Sequence, residues 1–214
     1  MKIKGILFDC DGVILDSEYI YVNSLVDYLK QLGIETTVEE MVCVLGKPIS
    51  AIVEEVREKF DLKEKIGHDE LLLEQRDFFQ NRFQKAKLTP MKNLIPLLDL
   101  CKEKEIKTAI VSSSNQSYLA DVIERLNLHG YFDEVMGGEI VVHGKPAPDI
   151  YNLAQERIGL DKRNLVIIED SFNGICAGKS SGIFTIGYKG SVIVQNTSSA
   201  DIEIKDYKEI FSML

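Results

Sequence analysis

Four short apolar runs, continuous and rich in β-branched residues, recur along this chain: Ile3 to Phe8, Thr108 to Val111, Leu165 to Ile168 and Ile183 to Ile186. Runs of this kind, apolar without alternation, suit parallel strands that are covered on both faces. A weaker strand is expected near Glu134 to Met136. Helical spacing fills the gaps between them. Leu94, Leu97, Leu98 and Cys101 share one face, as do Leu119, Val122, Ile123 and Leu126, and a further helix is expected from about Asp149 to Ile158. Strand, helix, strand, helix in that order predicts an α/β fold, a doubly wound, Rossmann-like parallel sheet.

The alternation breaks once. From about Ser17 to Lys85 no strand pattern appears. Val22, Leu25, Val26, Leu29 and Leu32 form one helical face with Gly33 as its stop. Helical segments follow at Val38 to Leu45, Ser50 to Phe60 and His68 to Phe83. This is too long for an ordinary connection between a strand and a helix. It predicts an all-helical cap domain, residues 17–85, inserted beside the end of the first strand, where it would cover a site. Pro90 marks the return to a core domain made of residues 1–16 and 86–214. The length of 214 residues accommodates one full domain with such an insertion but not two large ones.

The polar residues that follow the runs are of one chemical kind. Asp9 and Asp11 come just after the first run, Ser112, Ser113 and Ser114 after the second, and Glu169 and Asp170 after the third. Ligands of an open parallel sheet bind outside the carboxyl ends of its strands, so these side chains are expected on one rim. Crowded carboxylates repel, and one would stay protonated unless a cation intervened. A hard divalent ion with oxygen ligands, Mg2+, is the natural solution, and it links the acids to phosphoryl chemistry. Lys145, in His143-Gly-Lys-Pro-Ala-Pro-Asp149, offers a second positive charge for a phosphate.

Charge and composition narrow the partners. With 25 basic and 34 acidic residues the net charge is -9, which argues against a nucleic-acid backbone as ligand and leaves a small phosphorylated metabolite open. No apolar stretch has the length of a membrane span, and Gly5 to Phe8 is too short for a signal peptide. Cys10, Cys43, Cys101 and Cys176 are scattered singly, as reduced cysteines of a cytoplasmic protein would be. A monomer is expected.

The string Asp9-Cys-Asp-Gly-Val-Ile-Leu-Asp-Ser17 resembles the first motif of the haloacid dehalogenase superfamily, DxDGVxxDS. Val111 to Ser114 is similar to the second motif, Gly144 to Asp149 to the third and Ile167 to Gly174 to the fourth. The ordered set spans Asp9 to Gly174, and the subgroup it resembles contains β-phosphoglucomutases and sugar-phosphate phosphatases. The resemblance implies an Mg2+-dependent phosphatase in which Asp9 attacks phosphorus and Asp11 serves as general acid and then base. It implies that Ser112, Ser113 and Lys145 hold the phosphoryl group. The metal would be held by Asp9, Asp170 and the backbone carbonyl of Asp11, with Glu169 in or just outside its shell.

Other functions fit less well. Mutases of this subgroup carry a histidine where Tyr21 stands, and an arginine in a cap loop where Leu45-Gly-Lys-Pro-Ile49 offers only Lys47. Hydrolysis is therefore expected ahead of mutation. A phosphate-accepting receiver domain would need no helical insertion, and a dehalogenase would have no use for Asp11. Gly178-Lys-Ser180 lacks the earlier glycine of a phosphate-binding loop, because Asn173 occupies that position. His68, His129 and His143 have no metal-ligand spacing, and Lys47 and Arg76 are the candidates for gripping the distal part of a substrate.

Overall fold

The computed structural model of the protein describes residues 2–44 and 49–214. The chain divides into two compact units, Met1–Asp16 with Leu88–Leu214, and Ser17–Lys87.

The first unit is a six-stranded sheet of β1 (Gly5–Phe8), β2 (Lys107–Val111), β3 (Glu134–Met136), β4 (Leu165–Glu169), β5 (Phe184–Tyr188) and β6 (Ile202–Ile204). Every pairing is parallel, in the order β3-β2-β1-β4-β5-β6. The chain winds outward from β1 to β3 and then crosses back to β4, so the winding direction reverses between β1 and β4. That switch point opens a crevice at the carboxyl ends of these two strands.

Each apolar run serves both faces, because successive side chains of a strand point to opposite sides. Leu7, Ala109, Val111, Leu165 and Ile167 share a buried cluster with Ile150, Tyr151, Ala154 and Ile158 of α7 (Asp149–Ile158) and with Ala177 of α8 (Phe172–Ser181). Phe8 points the other way and meets Phe132 and Tyr207 edge-on, at 6.1 and 6.4 Å between ring centroids. Here α5 (Leu94–Glu103) packs on β2 and on the short α9 (Lys208–Phe211). The helix after β2, α6, covers Gln116–Arg125.

The strand β6 was not among the expected runs. Ile202-Glu203-Ile204 is short and alternating, with only one side chain fully buried, so it carries no continuous apolar signal. Its place at the sheet edge needs no more, since one neighbour supplies its pairing.

The second unit is helical, with α1 (Ser17–Gln31), α2 (Val38–Met41), a 3-10 turn (Val42–Val44), α3 (Ile49–Lys59) and α4 (His68–Lys85). Val22, Leu25 and Leu29 are buried as their spacing predicts, while Leu32 is 41% exposed because α1 has already ended, with Gly33 left-handed at φ 78. The expected helix from Val38 to Leu45 splits into α2 and the 3-10 turn, and Leu45 lies outside the described residues. Aromatic contacts tie α1 to α4: Tyr21 to Phe79 at 5.3 Å and Tyr28 to Phe78 at 5.6 Å. No described helix is long and apolar enough to cross a membrane.

Candidate active site

The rim at the carboxyl ends of β1, β2 and β4 gathers most of the residues picked out from the sequence. Asp9 is the first residue beyond β1, with its backbone N–H donating to Ile168 O at 2.9 Å. The chain then turns sharply. Gly12 is left-handed at φ 74, and a Cβ there would run into the Asp170 carboxylate. Only glycine meets both demands, so the glycine of the first motif is what lets Asp170 approach the β1 loop.

Lys145 binds the centre of the cluster. Its Nζ donates to Asp9 Oδ1 at 2.6 Å, to Glu169 Oε1 at 2.6 Å and to Val111 O at 2.9 Å, with its side chain only 4% exposed. Burial opposes the ammonium charge, yet Asp9 and Glu169 hold its pKa well above the ordinary lysine value. Glu169 is buried and spends both oxygens. Oε1 also accepts from Tyr151 OH at 2.8 Å, and Oε2 accepts from Ser171 N and Oγ at 3.3 and 3.0 Å.

Asp9 is poised differently. Burial pushes its carboxyl up to about 8; Lys145 lowers it, and Glu169 and Asp11 raise it further. One ammonium does not balance these acids. Asp9, Glu169 and Asp170, all buried, present one carboxylate oxygen each within 4.8 Å of one another. Three carboxylates without enough positive charge form a donor set that fits a hard divalent cation.

Ser112 is buried, accepts from Ser114 N at 3.0 Å through its Oγ, and donates its N–H to Met136 O at 3.0 Å. Ser113 is exposed on the same turn. The serines do not cap α6, because Asn115 does, with its Oδ1 accepting from Tyr118 N at 2.9 Å. Ser114 Oγ instead donates to Asp11 Oδ2 at 2.8 Å, and Tyr118 OH donates to Asp11 Oδ1 at 2.6 Å. His143 is largely exposed and faces Asp149 at 3.0 Å, as a loop histidine does. In the helical unit Arg76 is half exposed beside Asp77, and Lys47 lies outside the described residues.

This arrangement has clear relatives. Residues 6–188 match the model of the haloacid dehalogenase-like hydrolases. The chain belongs to that family. It is 28% identical over 187 residues to the phosphorylated carbohydrates phosphatase of Thermotoga maritima, covering 84% of this chain and 82% of that protein. It is 30% identical over 183 residues to the phosphoglycolate phosphatase of Aquifex aeolicus, covering 85% and 83%. Its fold is that of the β-phosphoglucomutase of Clostridium difficile, with a TM-score of 0.73 at 21% identity, covering 97% of this chain and 93% of that one. Like the relatives it matches in sequence, it is a hydrolase of the phosphatase type.

Against the haloacid dehalogenase pattern, three contacts of this site went unseen in the sequence. Tyr118 and Tyr151 lie in α6 and α7 and were not among the residues singled out from the sequence. Ser171 lies inside the fourth motif, Ile167 to Gly174, and also caps α8, its Oγ accepting from Gly174 N at 3.0 Å. For Tyr151, which is fully buried, the phenol hydroxyl is the one signal, since a buried hydroxyl needs a partner.

Proposed function

We propose that the protein is a magnesium-dependent phosphatase of small phosphomonoesters, sugar phosphates among them, which works through an aspartyl phosphate on Asp9. The observation that carries this is the buried trio of Asp9, Glu169 and Asp170 with Lys145 bonded to two of its members. Asp9 attacks phosphorus, splitting one displacement into two easier ones. Asp11 protonates the departing oxygen and later takes a proton from water. Ser112, Ser113 and Lys145 hold the phosphoryl oxygens. Asp9, Asp170 and the carbonyl of Asp11 would hold the magnesium, with Glu169 behind them orienting Lys145. Bound there, the ion supplies charge neutralisation and a fixed direction of approach for the phosphoryl group. Residues 17–85 act as the cap that selects substrates, residues 1–16 and 86–214 as the phosphotransfer core. The enzyme is a cytoplasmic monomer in this reading, with no nucleic-acid or membrane partner. The carbohydrate phosphatase of Thermotoga maritima supports the choice of sugar phosphates.

A phosphomutase is the competing activity, and Tyr21 speaks against it. Burial pushes the Tyr21 phenol up to about 12 against the opposing hydrogen bond from Gln75, whose Nε2 donates to it at 2.5 Å. Such a group does not exchange protons near neutrality, where a histidine would. The test is one tube containing magnesium, β-glucose 1-phosphate and its bisphosphate primer, read for phosphate release and for glucose 6-phosphate. Release is expected to dominate, with several other phosphomonoesters hydrolysed and all turnover lost in EDTA. Isomerisation tenfold faster than release, a barrier difference of about 1.4 kcal/mol, would install the mutase instead.

A further inference from the structure

Both oxygens of the Asp11 carboxylate have a hydroxyl donor of their own, Ser114 on Oδ2 and Tyr118 on Oδ1. The partners lie 103 and 107 residues from Asp11 along the chain, so the contacts are tertiary. Local structure aims them. The Asn115 cap fixes Tyr118 in the first turn of α6, and a helical side chain leans back towards the amino-terminal end of its helix. For α6 that end is the rim where Asp11 sits. Ser114 is held in turn by its own N–H on Ser112 Oγ. Two donors on two oxygens fix both the position and the plane of a carboxyl group, where a single donor would leave it free to pivot.

We propose that Tyr118 is a positioning residue for proton transfer by Asp11, its hydroxyl sharing with Ser114 the task of orienting the carboxyl group. The inference rests on the phosphatase reading above. In the first step an Asp9 oxygen bonds phosphorus, the ester O–P bond breaks, and the Asp11 proton passes to the leaving oxygen. In the second, a water oxygen bonds phosphorus, the Asp9–phosphorus bond breaks, and a proton of that water returns to Asp11. An alkoxide needs the first proton to leave, whereas p-nitrophenolate leaves without one. A misaimed Asp11 therefore harms alkyl esters more than aryl esters, while a general loosening of the fold harms both alike.

The experiment compares kcat/KM for glycerol 1-phosphate and p-nitrophenyl phosphate in the wild type, Tyr118→Phe, Ser114→Ala and Asp11→Asn, all with magnesium. Tyr118→Phe is expected to lose at least ~10-fold more on the alkyl ester than on the aryl ester, as positioned proton transfer is worth on the order of 100-fold or more in rate. Asp11→Asn should show the same selectivity, larger. Ser114→Ala carries the same expectation, and decides the matter if Tyr118→Phe fails to fold. Equal losses on the two esters, or no loss, overturn the positioning role while a hydrolysing wild type keeps the phosphatase reading intact. A wild type that hydrolyses neither ester overturns both.

Discussion

Burial, more than any neighbour, sets the behaviour of Asp9, lifting its carboxyl from 3.8 to about 8. Burial disfavours the ionised nucleophile, so its activity depends on positive charge brought close to it. Lys145 supplies part of that charge through a 2.6 Å contact. Asp9→Asn keeps the shape of the side chain and removes the nucleophile. We expect it to fold normally by circular dichroism and to lose at least ~1,000-fold in phosphate release, the scale of removing a covalent nucleophile. Substantial turnover by this variant, in protein free of wild type, would end the aspartyl-phosphate mechanism.

The start of α8 shows how an element is adapted to the site it borders. Gly174 lies in the first turn, where a Cβ would overlap the Glu169 carboxyl group. Helix propensity alone predicts that Gly174→Ala stabilises the protein by about 1 kcal/mol. Overlap with a buried, fully hydrogen-bonded carboxylate predicts the reverse, a loss of about 1–3 kcal/mol. We expect the overlap to win, because Glu169 has no room to retreat: Lys145, Tyr151 and Ser171 hold both its oxygens. Urea unfolding of Gly174→Ala reads the sign directly, and a stabilised variant would show that Glu169 is not pinned. The same displacement would move Lys145 away from Asp9, so phosphatase activity should fall together with stability.

Across the whole molecule the acids outnumber the bases by 34 to 25, and the rim concentrates part of that excess in a buried place. Linkage then makes stability depend on pH. The folded value of Asp9 lies above its ordinary value, so the folded protein keeps a proton that the unfolded chain has released. Without metal, stability therefore falls as pH rises from about 4 towards about 8, the interval between 3.8 and the folded value. A cation on Asp9 and Asp170 replaces the proton and removes that loss. Thermal melts in EDTA and in excess magnesium should show a larger gain from magnesium at pH 8 than at pH 6. At a hundredfold excess over its dissociation constant the gain is about 2.7 kcal/mol, which corresponds to several degrees at roughly 2–4 °C per kcal/mol. A gain that is equal at the two pH values, or absent, would contradict metal binding at Asp9.

What the sequence alone determined was the local part of this protein. Continuous runs such as Leu165 to Ile168, short and β-branched, suit a sheet covered on both faces, and acids directly after such strands emerge at its carboxyl edge. Hence the fold class could be read without coordinates, and so could the gathering of Asp9, Asp11, Ser112, Glu169 and Asp170 at one edge, while Lys145 was marked by the family motif that its segment resembles. What only the tertiary structure decided was who touches whom across that edge. The order β2-β1-β4 brings Lys145 to Asp9 and Tyr118 to Asp11 across 136 and 107 residues of chain, and no spacing along a helix or strand records such a distance. The condition of Asp9 was equally hidden, because its raised pKa comes first from desolvation, and desolvation exists only once the sheet and its helices have closed around the side chain.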